Sequence, residues 1–417
     1  MSIAGFVQGS RLWADIETLA AITDPDRPYT RRSFSERFML GRNWLVERFR
    51  DAGLETRIDE SGNLIGRRAG SNGAVGVLMS GSHSDTVPDG GRFDGVLGVL
   101  AALECARAFT DAGVSLRHHL EIVDFLAEEP SDFGISCIGS RGMTGALTRE
   151  HLALRAPWDE NLSDAITRMG GDPARLTEPR RSDIRAFFEL HIEQGVVLEQ
   201  ERLQIGVVEA IAGVTRLEIM FSGRADHAGT TPMDRRQDAA VAAAHVVSFV
   251  HSEARARAAS GAGHVTATCG VIDISPNASN VIPRTARVIV DIRVSERHVA
   301  EALVSAIQAT CRDAASISGT TLARFTIQSD TSPTRCAPEL TGIIENVVRE
   351  NDLSQRRMVS GAGHDAAFLA RLAPSAMIFT PCRDGRSHDP DEWCAPEDAL
   401  RGARVLVDAL LARDRLN

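Results

Sequence analysis

Apolar residues recur at helical spacing over residues 8–23 and again over residues 33–52. The second stretch opens on Ser33 and stops near Gly53, the pattern of a capped helix with a glycine end. Residues 74–80 (AVGVLMS) are a short aliphatic run, which predicts a buried strand. Residues 96–112 predict a helix, and residues 119–127 (HLEIVDFLA) a second buried strand. Strands alternating with helices predict a layered α/β domain, a mixed sheet with flanking helices.

The pattern changes in the middle of the chain. Residues 215–223 (TRLEIMFSG) alternate as a strand with one solvated face does. Residues 235–258 are alanine-rich and helical in spacing, 264–274 and 285–294 predict strands, 296–316 a helix and 321–329 a last strand. That order, β-α-β-β-α-β, is a compact ferredoxin-like unit. The expected organisation is one domain of residues 1–211 and 330–417, interrupted by an inserted domain of residues 212–329. Residues 384–396 read as a loop, and it holds His388.

Composition narrows the function classes. A length of 417 residues suits one large or two ordinary domains. The formal charge is −10 and no basic tract occurs, which argues against nucleic acid or an anionic membrane as partner. No apolar run is long enough to span a bilayer, and the first residues lack a basic stretch followed by an apolar one, so the expected location is cytoplasmic. The seven cysteines are scattered without CxxC pairs, against both a disulfide framework and a thiolate zinc site. The sequence contains no lysine; all 46 basic residues are arginine. That excludes lysine Schiff-base chemistry and the P-loop lysine.

The chemistry-bearing residues sit at the predicted strand ends and in loops. Gly81-Ser82-His83-Ser84-Asp85 follows the first buried strand, and a carboxylate two residues from a histidine can hold one ring nitrogen and free the other for a metal. In Gly90-Gly91-Arg92-Phe93-Asp94-Gly95 the glycines permit a tight turn around Asp94, whose carboxylate can bridge two cations or, more simply, cap the next helix. Glu128-Glu129 follows the second buried strand, where two adjacent carboxylates repel unless cations offset them. One can bind metal while the other acts as general base. His191, in Glu189-Leu190-His191-Ile192-Glu193-Gln194, reads alone as a strand-face histidine, and His388 alone as a loop histidine. Together they form a nitrogen and carboxylate donor set suited to zinc, manganese, cobalt or nickel.

The ordered series GSHSDTV, GGRFDG, EE, ELHIEQG, HAGTTPMDRRQDA, NVIP, DIR, SGAGHDA and SHDPDEW resembles the M20 peptidase-like amidohydrolases, and within them the hydantoinase/carbamoylase branch. The resemblance implies two divalent ions per subunit, zinc foremost. One is held by His83 and His191, the other by Glu129 and His388, with Asp94 bridging. It implies a metal-bridging hydroxide as nucleophile, Glu128 as general base and Asp85 as the residue that orients His83. It further implies a lid and dimerisation role for the inserted domain, with His227 reaching a partner subunit's site to stabilise an oxyanion. Asn280 and Arg293 are implied to hold a substrate carboxylate, and Gln194, Gly361, Ala362 and the adjacent His364 to line the pocket.

The implied activity is hydrolysis of an N-carbamoyl-L-amino acid. The alternatives are allantoate or ureidoglycolate hydrolysis, an N-acyl-amino-acid amidohydrolase or dipeptidase, and a silent binding protein on the same cleft. One departure from the branch bears on the substrate: Pro130-Ser131-Asp132 stands where a glycine and an arginine are usual, and Asp132 is a candidate extra hydrogen-bonding group of the pocket. Arg284 also replaces the glycine that commonly ends NVIPG.

Overall fold

The computed structural model describes residues 2–71, 73–176 and 181–416. The chain forms two compact units: Met1–Glu209 with Cys336–Met358 and Gly363–Asn417, and Ala210–Arg335 with Val359–Ala362.

In chain order the strands are β1 (Glu55–Ile58), β2 (Leu64–Arg68), β3 (Val77–His83), β4 (His119–Phe125), β5 (Ile184–Ile192), β6 (Ile205–Ile211), β7 (Gly213–Ser222), β8 (Val265–Ser275), β9 (Thr285–Val294), β10 (Thr321–Asp330), β11 (Thr334–Arg335), β12 (Gln355–Ser360) and β13 (Ser375–Thr380). The first unit is built on a mixed sheet of order β1-β2-β4-β3-β5-β13-β6, with β12 also pairing to β6. β3 runs parallel to β4 and β5, and β13 parallel to β5, while β2 and β6 pair antiparallel at the flanks. Every residue of β3 and β13 is buried, as expected of central strands covered on both faces. The aliphatic helix Val96–Asp111 is one of those covers; its first eleven residues are all buried.

The strand expected over 74–80 runs three residues further and carries His83 as its last residue. Conversely, the strand expected over 119–127 ends at Phe125, because the chain leaves the sheet in a turn with Ala127 at φ 53°. The helix expected over 33–52 starts later, at Glu36. Its cap is Ser35, which accepts from the Phe38 N–H, and not Ser33, which is buried before the helix begins.

The second unit is a four-stranded antiparallel sheet of order β10-β7-β9-β8, with helices Ala239–Ala259 and Arg297–Ile317 in the chain order β-α-β-β-α-β. Its core joins Leu217, Ile219 and Phe221 of β7 to Val288, Val290 and Ile292 of β9 and to Leu303 and Ile307 of the second helix. In β9 burial alternates strictly with position, so one face packs on the helices. Among the described residues no helix is long and apolar enough to cross a membrane.

Candidate metal centre

Parallel pairing of β4, β3, β5 and β13 brings their C-terminal ends to one edge of the sheet, where open α/β sheets collect ligands. Four segments of the donor set arrive there: His83 ends β3, the 126–129 turn follows β4, His191 is the penultimate residue of β5, and the loop with His388 follows β13. The fifth, Asp94, comes from the loop before helix Val96–Asp111. Glu392 shapes that loop: its Oε1 accepts from the N–H groups of Phe93 at 2.8 Å and Asp94 at 3.1 Å. A side chain at Gly91 would strike this carboxylate, with a Cβ 2.0 Å from it. Gly95 has φ +67°, and a Cβ there would lie 2.4 Å from the His83 ring.

The donors converge. Asp94 Oδ1 lies 3.1 Å from His191 Nε2 and 3.8 Å from His83 Nε2. Asp94 Oδ2 lies 3.1 Å from His388 Nε2, which is 3.2 Å from Glu129 Oε1. Two sets with metal-ligand spacing result, His83–Asp94–His191 and Asp94–Glu129–His388, sharing Asp94.

The hydrogen bonds show that a cation fits. His83 Nδ1 is 3.1 Å from the Asp85 carbonyl and His191 Nδ1 is 2.9 Å from the Ile192 carbonyl. A carbonyl only accepts, so both Nδ1 atoms carry hydrogen and a neutral ring presents a lone pair at Nε2. Accordingly, His191 Nε2 accepts from the Gly95 N–H at 3.2 Å. That lone pair faces a carboxylate oxygen across 3.1 Å, two acceptors that repel unless positive charge stands between them.

The electrostatics say the same. Burial would lower the His83 imidazole, but the Glu128, Asp85 and Asp94 carboxylates outweigh it and hold it well above its ordinary value. His388 is raised to about 10 by its bonds to Asp94 and Glu129. Burial pushes Glu128 well up against the pull of His83, with Asp365, Glu129 and Asp85 adding repulsion. A site that pushes Glu128 toward protonation while it pulls His83 and His388 toward positive charge suits a cation.

Asp85 meets His83 through its backbone carbonyl, at 3.1 Å from Nδ1, rather than through its carboxylate. Its carboxylate is 3.6 Å from His83 Nδ1, and its two oxygens accept from the N–H groups of Glu128 at 3.2 Å and Glu129 at 3.3 Å. It therefore ties the end of β3 to the turn after β4. Glu128 Oε2 stands 3.6 Å from His83 Nε2, beside the first donor set. Gln194, at φ 57°, donates to Asp94 Oδ2 at 2.8 Å and leaves its buried Oε1 without a partner. The Asp132 carboxylate takes Arg32 at 2.7 Å, and Arg32 also donates to the Pro130 carbonyl at 3.1 Å.

Four of the expected substrate residues, and His227, belong to the second unit. His227 is exposed, and its Nδ1 accepts from the N–H groups of Gly229 at 3.0 Å and Thr230 at 3.2 Å. Its hydrogen is thereby fixed on Nε2, pointing away from the loop as a donor. The neighbouring Asn280 is exposed, and its carbonyl accepts from Ala228 N–H at 2.9 Å. Arg293 donates to the Gly361 carbonyl at 2.8 Å and to Asp291 at 2.9 Å, beside Ala362. His364, back in the first unit, stacks edge-on to His191 with ring centres 4.7 Å apart.

Reading the sequence missed the groups that hold these donors in place. Besides Glu392 they are Ser387, which donates to Asp94 Oδ2 at 2.8 Å, and Arg31, fully buried and donating to the Ser84 carbonyl at 2.9 Å. Cys137, Arg42 and Asp124 also went unread. Glu392 and Ser387 do lie in the quoted SHDPDEW segment; the others carry no local signal, because their partners are 9 to 82 residues away.

Residues 79–412 match peptidase family M20/M25/M40. The chain is 36% identical over 403 residues to an N-carbamoyl-L-amino acid amidohydrolase of Geobacillus stearothermophilus, covering 96% of this chain and 97% of that protein. It is 34% identical over 412 residues to a ureidoglycolate hydrolase of Oryza sativa subsp. japonica, covering 97% and 84%. Among solved structures, an amidase of the hydantoinase/carbamoylase family from Burkholderia multivorans superposes with a TM-score of 0.90 at 34% identity, covering 98% of each chain.

Proposed function

The chain belongs to the M20/M25/M40 peptidase family and is a hydrolase, and from that premise we propose that it cleaves the C–N bond of an N-carbamoyl-L-amino acid. The observation that carries the reading is the pair of donor sets sharing Asp94, with the Glu128 carboxylate outside both and 3.6 Å from His83 Nε2. His83, Asp94 and His191 would hold one divalent ion and Asp94, Glu129 and His388 a second; such nitrogen and carboxylate donors suit zinc, manganese, cobalt or nickel. Bound there, the ions would polarise the substrate carbonyl and make water acidic at neutral pH.

The chain's own residues do the rest. Glu128 takes a proton from the attacking water and delivers it to the departing nitrogen. Asp85 fixes the backbone of Glu128 and Glu129, which keeps that carboxylate in register with His83. His227, with its hydrogen committed to Nε2, donates to the oxyanion that develops in the transition state. In the proposed homodimer this donor comes from the partner copy. Supporting that assembly, β8 ends the second sheet, and Ile272 on it is 48% exposed. Arg293 and Asn280 take the substrate carboxylate, the guanidinium through paired hydrogen bonds. Products are the free amino acid, carbon dioxide and ammonia.

Ammonia release by the metal-reconstituted protein, from N-carbamoyl-L-amino acids, N-carbamoyl-β-alanine, allantoate and ureidoglycolate in parallel, tests the substrate. The carbamoyl amino acids are expected to give the highest kcat/KM. A higher value for ureidoglycolate or allantoate would overturn the substrate but keep the reaction.

A further inference from the structure

Behind Glu128 lies a group of buried polar side chains that the reaction above does not use. The turn carrying Glu128 is strapped to the segment 137–139 by three backbone bonds: Cys137 N–H to the Glu128 carbonyl at 2.9 Å, Ile138 to Ala127 at 3.0 Å and Gly139 to Leu126 at 2.7 Å. Both partners in the strap adopt the left-handed region without being glycine, Ala127 at φ 53° and Cys137 at φ 55°. Such conformations persist only where the surroundings hold them. The Cys137 side chain is 5% exposed and its thiol donates to Glu128 Oε1 at 3.3 Å. Burial, with the Glu128 and Asp365 carboxylates, pushes the thiol well above its ordinary value, so it stays protonated and able to donate. Asp365, fully buried on the same side, has no hydrogen bond to either carboxylate oxygen.

The Glu128 carboxylate thus has acidic neighbours in Asp85, Glu129 and Asp365, and a neutral donor on one oxygen. We propose that Cys137 is a positioning residue for Glu128: its thiol pins Oε1, which leaves Oε2 turned toward His83 and the metal-ligand cluster. A glutamate side chain free to change rotamer would spend part of its time away from the attacking water, and small misplacements at a reacting centre cost rate rather than binding. The inference rests on the reading of Glu128 as the base.

Cys137→Ala and Cys137→Ser are compared with the parent protein at equal metal content. Cys137→Ala is expected to lower kcat about tenfold with KM and metal content unchanged, while Cys137→Ser, which keeps a donor, recovers most of the loss. A second readout needs no turnover. The infrared difference between parent and Cys137→Ala isolates one S–H stretching band, expected at lower frequency than a free thiol and shifting up in Glu128→Ala. Wild-type kcat in Cys137→Ala, or an S–H band indifferent to Glu128→Ala, would overturn the proposal. If Glu128→Ala itself turns over normally, the assignment of the base falls and this inference with it. If Glu128→Ala is inactive and Cys137→Ala is normal, only the positioning role falls.

Discussion

Gly95→Ala is the most telling single perturbation of the centre's architecture. Gly95 sits at φ 67°, ψ −48°, a region closed to residues with a Cβ. Holding alanine there costs about 1–3 kcal/mol in backbone strain. The new Cβ would also lie 2.4 Å from His83 Cε1 and Nε2. His83 has little room to yield: it is 2% exposed and its Nδ1 is tied to the Asp85 carbonyl at 3.1 Å. Overpacking of that kind adds about 1–3 kcal/mol. The expected loss is therefore about 2–6 kcal/mol, summed from the two terms. Urea unfolding in the presence of a chelator measures it free of any stabilisation by bound ions, and metal content of the unchelated variant reports separately on His83. The expected variant is folded at low urea, destabilised by that amount, and deficient in metal. A variant within about 0.5 kcal/mol of the parent, the ordinary range for a neutral surface change, and with full metal content would refute the account of why glycine stands at this position.

Two further outcomes follow from other parts of the chain. Arg42, 3% exposed, donates to Asp124 Oδ2 at 2.8 Å and to the Asp124 carbonyl at 2.9 Å, and also reaches the Gly62 carbonyl. Arg42→Met would strand Asp124 as a buried unpaired acid and is expected to cost about 3–5 kcal/mol in urea unfolding; Asp124→Leu added to it should recover a large share. In the second unit, Asp330 is held below its ordinary value of 3.8 by the hydrogen bonds from Arg297. A depressed acid stabilises the fold above its unfolded value and loses that contribution as pH falls through its folded value, so Asp330→Asn should flatten the decline of the unfolding midpoint below about pH 4.

The elements that declared themselves in the sequence were those with a strong, uninterrupted period. β9 runs over the residues expected for it, because its alternation is strict from Thr285 to Val294. Both long helices of the second unit fall within a few residues of their expected ends, and Asp238, which accepts from Ala240 and Val241 N–H groups, marks the true start of the first. Short strands were less legible. β13 is six residues with no polar alternation, and β1 and β2 are four and five residues lying between helix and loop patterns. The donor residues were legible because glycines, paired carboxylates and histidines cluster locally at strand ends. Supports such as Arg31, Arg42 and Asp124 were not, since they acquire their roles only when distant segments meet. The Asp132 departure shows the limit on the substrate side. Sequence offered it as a pocket group and gave no sign of its ion pair with Arg32, a partner 100 residues away.

The most direct test of the central claim is ammonia release from an N-carbamoyl-L-amino acid by the parent protein and by Glu128→Gln at equal metal content. Glu128→Gln is expected to keep its ions, because Glu128 stands outside both donor sets, and to lose turnover by at least about a hundredfold, the contribution of a positioned general base. Undiminished turnover in Glu128→Gln would contradict the claim.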